Sequence, residues 1–490
     1  MYLCSFMRDN AIPKVIVDSL KEGGFALQIK GKAGTGKTLF ALELIRTLRD
    51  KPAYYLTTRV SPVDLLKQVP WIERYLPIEN ILDARAARIP AELDFRKINT
   101  TNITAFIKEL YEIMQQSEEE VITLIIDSID AIKTTMGLPW DNYQLEKALF
   151  EIASVLKTNI VIIVERYDVI QLDYLVDGII KTVRKVEDGR VLRYALIEKI
   201  RGQKITTPVV LFTLTGGKFG MFDCCFTPNP LQTKSVKKVK KLKEKVRKLS
   251  EKNAVPTGID VIDNLLNGGL TIGSFNVLEI HPYIGNTYLY FLMPMIINMV
   301  KNKRLVYFIP PSGIAPIEIK RTIQPFISDT DFRKYIKIFK LRLPGHAATE
   351  EKQTISVDAR SIISTLEETE GYVQEYIPDT GGIEHLGITG ADTLQYTFGA
   401  DNVYSILGRW SAGAKLTNKT EIVIAKKGQK ILSDLVNMAD THLVIDLKRG
   451  TPVFYGNMPY TGYFGLDIKI EAPQNEGELA KIEIELIPIE

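Results

Sequence analysis

Phe25–Leu44 reads FALQIKGKAGTGKTLFALEL, a short apolar run that breaks into glycines and resumes as an amphipathic helical pattern. The segment Gly31, Lys32, Ala33, Gly34, Thr35, Gly36, Lys37 and Thr38 fits G-x-x-x-x-G-K-[ST], with a strand before it and a helix after it. Gly31, Gly34 and Gly36 permit positive φ, so consecutive backbone N–H groups can turn inward around phosphate oxygens at a helix N-terminus. In that arrangement Lys37 reaches the β and γ phosphates of ATP, and Thr38 offers its hydroxyl to Mg²⁺. The bland alternative is a glycine-rich turn feeding an ordinary helix.

Moving outward, Ala53–Leu56 is a second expected strand, and Pro62 opens a helix after TTRVSP. Helices are expected over 15–20, 39–48, 104–116 and 143–156. Val121–Ile126 and Asn159–Val164 are continuous apolar runs of the kind that strands buried on both faces show. The first ends in Asp127, Ser128 and Asp130, the second in Glu165 and Arg166. An aspartate at the carboxyl end of a strand beside the P-loop strand can hold the water shell of Mg²⁺, and it can equally cap a helix. Such alternation predicts a mostly parallel α/β sheet with flanking helices. From Asp177 the pattern becomes two strands around Glu187-Asp-Gly189, an antiparallel hairpin that closes the sheet.

The 490 residues exceed what one core organises, and two domains are expected. A net charge of +3 excludes a globally polyanion-binding chain, and three cysteines without a C-x-x-C exclude a disulfide framework. No apolar run approaches the roughly 20 residues of a membrane span, and no secretory signal is visible, so a cytoplasmic protein is expected. Lys234–Lys252, KSVKKVKKLKEKVRKLSEK, is a basic tract of helical period. It admits three readings: a linker helix, a surface for DNA or an acidic partner, or a surface for anionic membrane.

After Pro256 the chain repeats itself. TGIDVIDNLLNGGLTIGSFNVLEI echoes IPKVIVDSLKEGGFALQI, and LVYFIPPSGIAPIEIK echoes AYYLTTRVSPVDLLK. The second copy lacks the chemistry: Asn286 replaces the phosphate lysine, and Pro282 and Tyr283 intrude on the loop. Thr389 is expected where the metal aspartate belongs, with Asp392 nearby. His281 and His385 are expected to cap or pack, since no metal-ligand set surrounds either.

The succession of P-loop, TTRVSP, IIDSID, LVDGII and EKIRG resembles the KaiC and RadA branch of RecA-fold ATPases. Within that branch it is most similar to archaeal gas-vesicle regulators of the GvpD type. The resemblance implies two tandem RecA-like P-loop NTPase domains, the second degenerate: residues 1–230 and 254–490, joined by a basic linker helix over 231–253. It implies ATP and Mg²⁺ as ligands and a homo-oligomer, in the family a hexameric ring. It also implies that Lys199 and Arg201, matching K-x-R-G, meet the nucleotide of a neighbouring subunit. The family's paired catalytic glutamates are absent. Arg59 and Val60 stand there, and slow or no hydrolysis is expected. Glu165 is a substitute base or merely an ion-pair partner, while Arg59, Arg85 and Arg88 are candidates to gather at the phosphates. Three functions compete. One is an ATP-gated regulator or scaffold with an unidentified protein partner; another is an oligomeric ATPase of DNA recombination, repair or a motility-type motor. The third is a DNA-binding module acting through the basic tract.

Overall fold

The computed structural model describes residues 11–85, 95–115, 121–166, 170–222, 253–342, 354–473, 475 and 477–490. Arg88 and the basic tract 234–252 therefore lie outside the described residues. The chain divides into two compact units, Phe6–Cys224 with Pro488–Glu490, and Cys225–Ile487 with Met1–Ser5.

The first unit is built on β1 (Ala26–Lys30), β2 (Ala53–Thr57), β3 (Ile81–Asp83), β4 (Thr123–Asp127), β5 (Asn159–Val164), β6 (Gly178–Glu187), β7 (Arg190–Ile200), β8 (Val209–Thr213) and β9 (Gly220–Met221). Their order is β3-β2-β4-β5-β1-β6-β7-β8-β9. The strands from β3 to β6 run parallel, and β7, β8 and β9 continue antiparallel. The apolar runs lie centrally, as residues buried on both faces require. Leu27, Ile29, Tyr55, Ile125 and Val161 pack with the helix Lys37–Thr47, while Leu56, Leu124, Ile126, Ile160 and Ile162 pack on the opposite face with the helices Ile103–Gln115 and Gln144–Val155. The β6–β7 turn has Asp188 at φ 52° and Gly189 at φ 74°. Two successive positive φ values match the twist of a two-residue hairpin, which is why Asp-Gly marks it.

The second unit contains β10 (Ala254–Val255), β11 (Leu270–Thr271), β12 (Phe275–Ile280), β13 (Val306–Ile309), β14 (Ile336–Arg342), β15 (Thr354–Asp358), β16 (His385–Gly390), β17 (Lys419–Lys426), β18 (Thr441–Lys448), β19 (Thr451–Met458), β20 (Phe464–Glu471) and β21 (Lys481–Pro488). Its main sheet is ordered β15-β14-β13-β16-β17-β12-β18-β19-β20-β21. From β14 to β20 this is the order of the first sheet from β3 to β8, so the repeat read in sequence is a repeat of topology. One expectation fails. Strand alternation sends Leu386 and Ile388 into the core beside the helix Tyr288–Lys301, and turns Thr389 to the other face, where its hydroxyl donates to Glu421 at 2.6 Å. Thr389 therefore does not take the place of the metal aspartate.

In the first unit Lys133 and Glu146 form a buried ion pair at 2.9 Å, with the Lys133 ammonium also donating to the Trp140 carbonyl at 3.1 Å. Removing one partner strands a charge in the core. We predict that Glu146→Ala lowers stability by about 3–5 kcal/mol, and that Lys133→Met with Glu146→Leu recovers most of the loss. Urea unfolding of the three variants checks this. Equal losses in single and double variants would mean that packing volume, not the unpaired charge, sets the cost.

Candidate nucleotide site

The loops that follow β1, β2, β4 and β5 open at the same edge of the sheet, where open parallel sheets bind ligands. All five residues of β1 are buried, so the chain turns only beyond Lys30. There Gly31 passes so close to β6 that a Cβ would lie 2.5 Å from the Thr182 carbonyl oxygen and 2.8 Å from Thr35 Oγ1. Gly34 and Gly36 have φ of 72° and 91°, and Gly36 caps the helix Lys37–Thr47. The loop is stapled twice. Thr35 shares a hydrogen bond of 2.8 Å with Thr182 on β6, and Arg193 on β7 donates to the Gly34 carbonyl at 2.9 Å.

Lys37 is buried, and its ammonium donates to the carbonyls of Gly31 at 2.8 Å and Lys32 at 2.9 Å. An ammonium has three donors, so two hold it over the loop and orient the group for a phosphate. Burial pushes its pKa below the usual lysine range, and the charges of Glu165, Asp127 and Asp130 pull it back in part. Thr38 donates its hydroxyl proton to Asp127 at 2.7 Å, and Tyr55 donates to the same carboxylate oxygen at 2.6 Å. Burial and Asp127 push the Tyr55 phenol well above its ordinary pKa, so it stays a donor. A hydroxyl that gives its proton away keeps its lone pairs, and Thr38 with Asp127 thus fits the metal-side role. Mg²⁺ bound there would neutralise phosphate charge.

Glu165 is held by Arg59. Their side chains pair at 2.8 Å, bringing the end of β5 to the residue that stands in place of the paired glutamates. The Glu165 backbone N–H donates to Asp130 at 2.6 Å, and Arg166 turns away to lie 4.3 Å from the centre of the Trp140 ring. Arg85 does not join the site: it grips Asp83 through two hydrogen bonds of 2.9 and 2.8 Å, at the edge strand β3.

Lys199 and Arg201 lie away from the loop, Lys199 level with the middle of β1 and Arg201 beyond the start of β6. Lys199 pairs with Ile179, which is level with Gln28, and the Arg201 N–H bonds the Asp177 carbonyl beyond the strand. Lys199 sits about 20 Å along β7 from the loop-binding Arg193, at roughly 3.3 Å per residue. Its ammonium donates to the carbonyls of Asp173 and Val176, and Arg201 pairs with Asp177 at 2.7 Å while remaining largely exposed. Within one chain these two residues are not brought to the P-loop.

A family model for the KaiC ATPase matches residues 15–219, the stretch that carries all of these elements. GvpD1 and GvpD2 of Halobacterium salinarum are each 23% identical to this chain, over 91% of it and over 92% and 91% of their own lengths. Residues 15–219 are thus similar to the KaiC ATPases of the RecA fold. The chain's likeness to the GvpD proteins runs through both domains.

The KaiC-like domain uses three residues that its motifs do not announce: Tyr55, Thr182 and Arg193. Each reaches the site from another strand, and none has a local pattern that distinguishes it from an ordinary strand residue. In the second domain the corresponding loop, Pro282–Thr287, is a 3₁₀ turn in which His281 accepts from the Tyr283 N–H at 3.3 Å. Asn286 donates to Glu318 at 2.8 Å, and Asp392 is engaged by Lys426 at 2.6 Å. We predict that Lys37→Ala weakens Mg-ATP binding about 100-fold, as losing charge-assisted phosphate bonds requires. Asn286→Ala should leave affinity unchanged. Titration with a fluorescent ATP analogue checks both, and binding that survives in the Lys37 variant would place a working site in the second domain.

Proposed function

We propose that this protein is an ATP-gated regulator of the GvpD type, acting in the cytoplasm, whose nucleotide occupancy controls self-association or partner binding. The observation that carries this reading is the Arg59–Glu165 ion pair set beside an intact phosphate loop. The loop, Lys37 and the Thr38–Asp127 pair supply what Mg-ATP binding needs. Hydrolysis needs in addition a carboxylate directed at the attacking water, and such a base contributes about 10²- to 10⁴-fold. Arg59 competes with water for the Glu165 carboxylate, so binding is favoured over turnover.

Lys199 and Arg201 give occupancy a consequence. Lys199 is level with Gln28 in the middle of β1 and Arg201 lies beyond the start of β6, so a role for them at a phosphate is proposed on another copy of the chain. A cation that meets the γ phosphate across an interface makes ATP bind the assembled state more tightly than the separated one. By linkage, assembly tightens ATP binding by the same factor. A motor or recombinase reading would need fast turnover, which the ion pair opposes.

Two outcomes are expected. Light scattering should show larger particles with Mg-ATP than with Mg-ADP, a difference that Arg201→Ala removes while nucleotide binding at low protein concentration is kept. Equal mass in all nucleotide states would remove the role across subunits. Phosphate release should be slow in the natural protein, and Arg59→Ala should raise it about tenfold by freeing Glu165, within the range a general base supplies. An unchanged rate would show that Glu165 cannot orient water.

A further inference from the structure

We propose that the second domain holds a small-molecule site, separate from its decayed phosphate loop, that takes a compact apolar molecule bearing a protonated amine. The site is a cavity of ≈ 310 Å³ between the sheet and the helices Ile362–Tyr376 and Ala400–Leu416. That volume holds about ten waters and falls within the range of small-molecule pockets. Its walls are apolar, formed by Leu366, Ile406, Trp410 and Leu416. Its floor is not. Tyr307, Thr389 and Lys419 rise from β13, β16 and β17, around the fully buried carboxylate of Glu421.

Glu421 is saturated. Thr389 donates to one oxygen at 2.6 Å, and Tyr307 donates to the other at 2.9 Å with the Lys419 ammonium 3.3 Å away. Gly387 makes that arrangement possible, since a Cβ there would lie 2.4 Å from the Glu421 oxygen and 2.5 Å from the Tyr307 hydroxyl. Lys419, itself nearly buried, is shared with Glu370, whose carboxylate lines the cavity 3.7 Å from the ammonium. At the rim Glu367 and Arg409 cancel each other at 2.7 Å. Two carboxylates therefore share one ammonium, and the adjacent His385, whose pKa burial lowers, is disfavoured as a second cation, which leaves the floor with an excess of negative charge. An anion would meet Glu370 and Glu421 together, whereas an amine placed against Glu370 completes the balance.

The matching face of the first domain shows that the fold does not need this charge. There the sheet presents Leu56, Leu124, Ile126, Ile160 and Ile162 to its helices. Buried ionised groups cost several kcal/mol each in desolvation, so a carboxylate and an ammonium on the sheet itself, beneath an apolar-walled cavity, point to a ligand.

The test uses the full chain with Mg-ATP present, so that the first domain is occupied. Three probes of one body are titrated by ligand-observed NMR: 2-phenylethylamine, 2-phenylethanol and 3-phenylpropanoate. The amine should bind saturably and about tenfold more tightly than the other two, as one close charge pair provides. Glu370→Gln keeps the shape and should level that preference. Gly413 lines the cavity on a helix, and a Cβ there meets nothing within 4 Å. Gly413→Leu should fill the space and abolish binding without lowering the thermal midpoint, because leucine favours helix more than glycine does. Saturable binding of none of the probes would overturn the site, and so would wild-type affinity in Gly413→Leu. Equal affinity for the amine and the carboxylate, or an amine preference that survives Glu370→Gln, would overturn the ligand class.

Discussion

Every residue of β1 is closed off from water, pressed between β5 and β6 in the sheet and between helical layers above and below. A backbone so enclosed can release its next N–H groups only where the strand stops. Residues beyond Lys30 must then turn within the width of a glycine, because β6 occupies the space a side chain would need. The phosphate cup is thus the point at which a fully buried parallel strand ends, and the helix begun by Lys37 adds its positive end to it. Asp127 reaches the cup because β4 stops in register with it, and Thr38 and Tyr55 converge on one carboxylate oxygen from different elements.

Charge at the open edge decides what the cup can do. Lys37 is desolvated yet surrounded by Asp127, Asp130 and Glu165, whose charges offset part of the lowering that burial imposes on its pKa. Arg59 shifts that balance by claiming Glu165. The pair is partly exposed, so it adds little stability, and its effect is directional: it fixes where the carboxylate points. One arginine in the loop after β2 thereby both engages the Glu165 carboxylate and places a second cation at the sheet's edge.

The two domains share a strand order and have diverged face by face. In the first, charged residues collect at the carboxyl edge and the sheet faces are mainly apolar. In the second, the edge is closed by internal pairs, Asn286 with Glu318 and Asp392 with Lys426, while one face has acquired Glu421, Lys419, Thr389 and Tyr307. A duplicated fold keeps its strand pairing because backbone hydrogen bonds do not depend on side chains. Either face can change chemistry while the sheet persists.

Much of this was legible along the chain. The P-loop, the apolar runs, the Asp-Gly hairpin and the repeat are local signals: each depends on φ preferences, periodicity or burial over a few neighbouring residues. They pointed to two tandem RecA-like α/β domains and to the one loop whose pattern fits phosphate. What the linear pattern could not supply was partnership across strands. That Glu165 meets Arg59 and that Arg193 staples Gly34 depend on strand order, which brings residues over a hundred positions apart into contact. Thr389 marks the limit most sharply. In a strand a displacement of one residue reverses the face, so a motif echo that aligns by eye pointed the wrong way, and only the packed sheet showed on which side its hydroxyl lies.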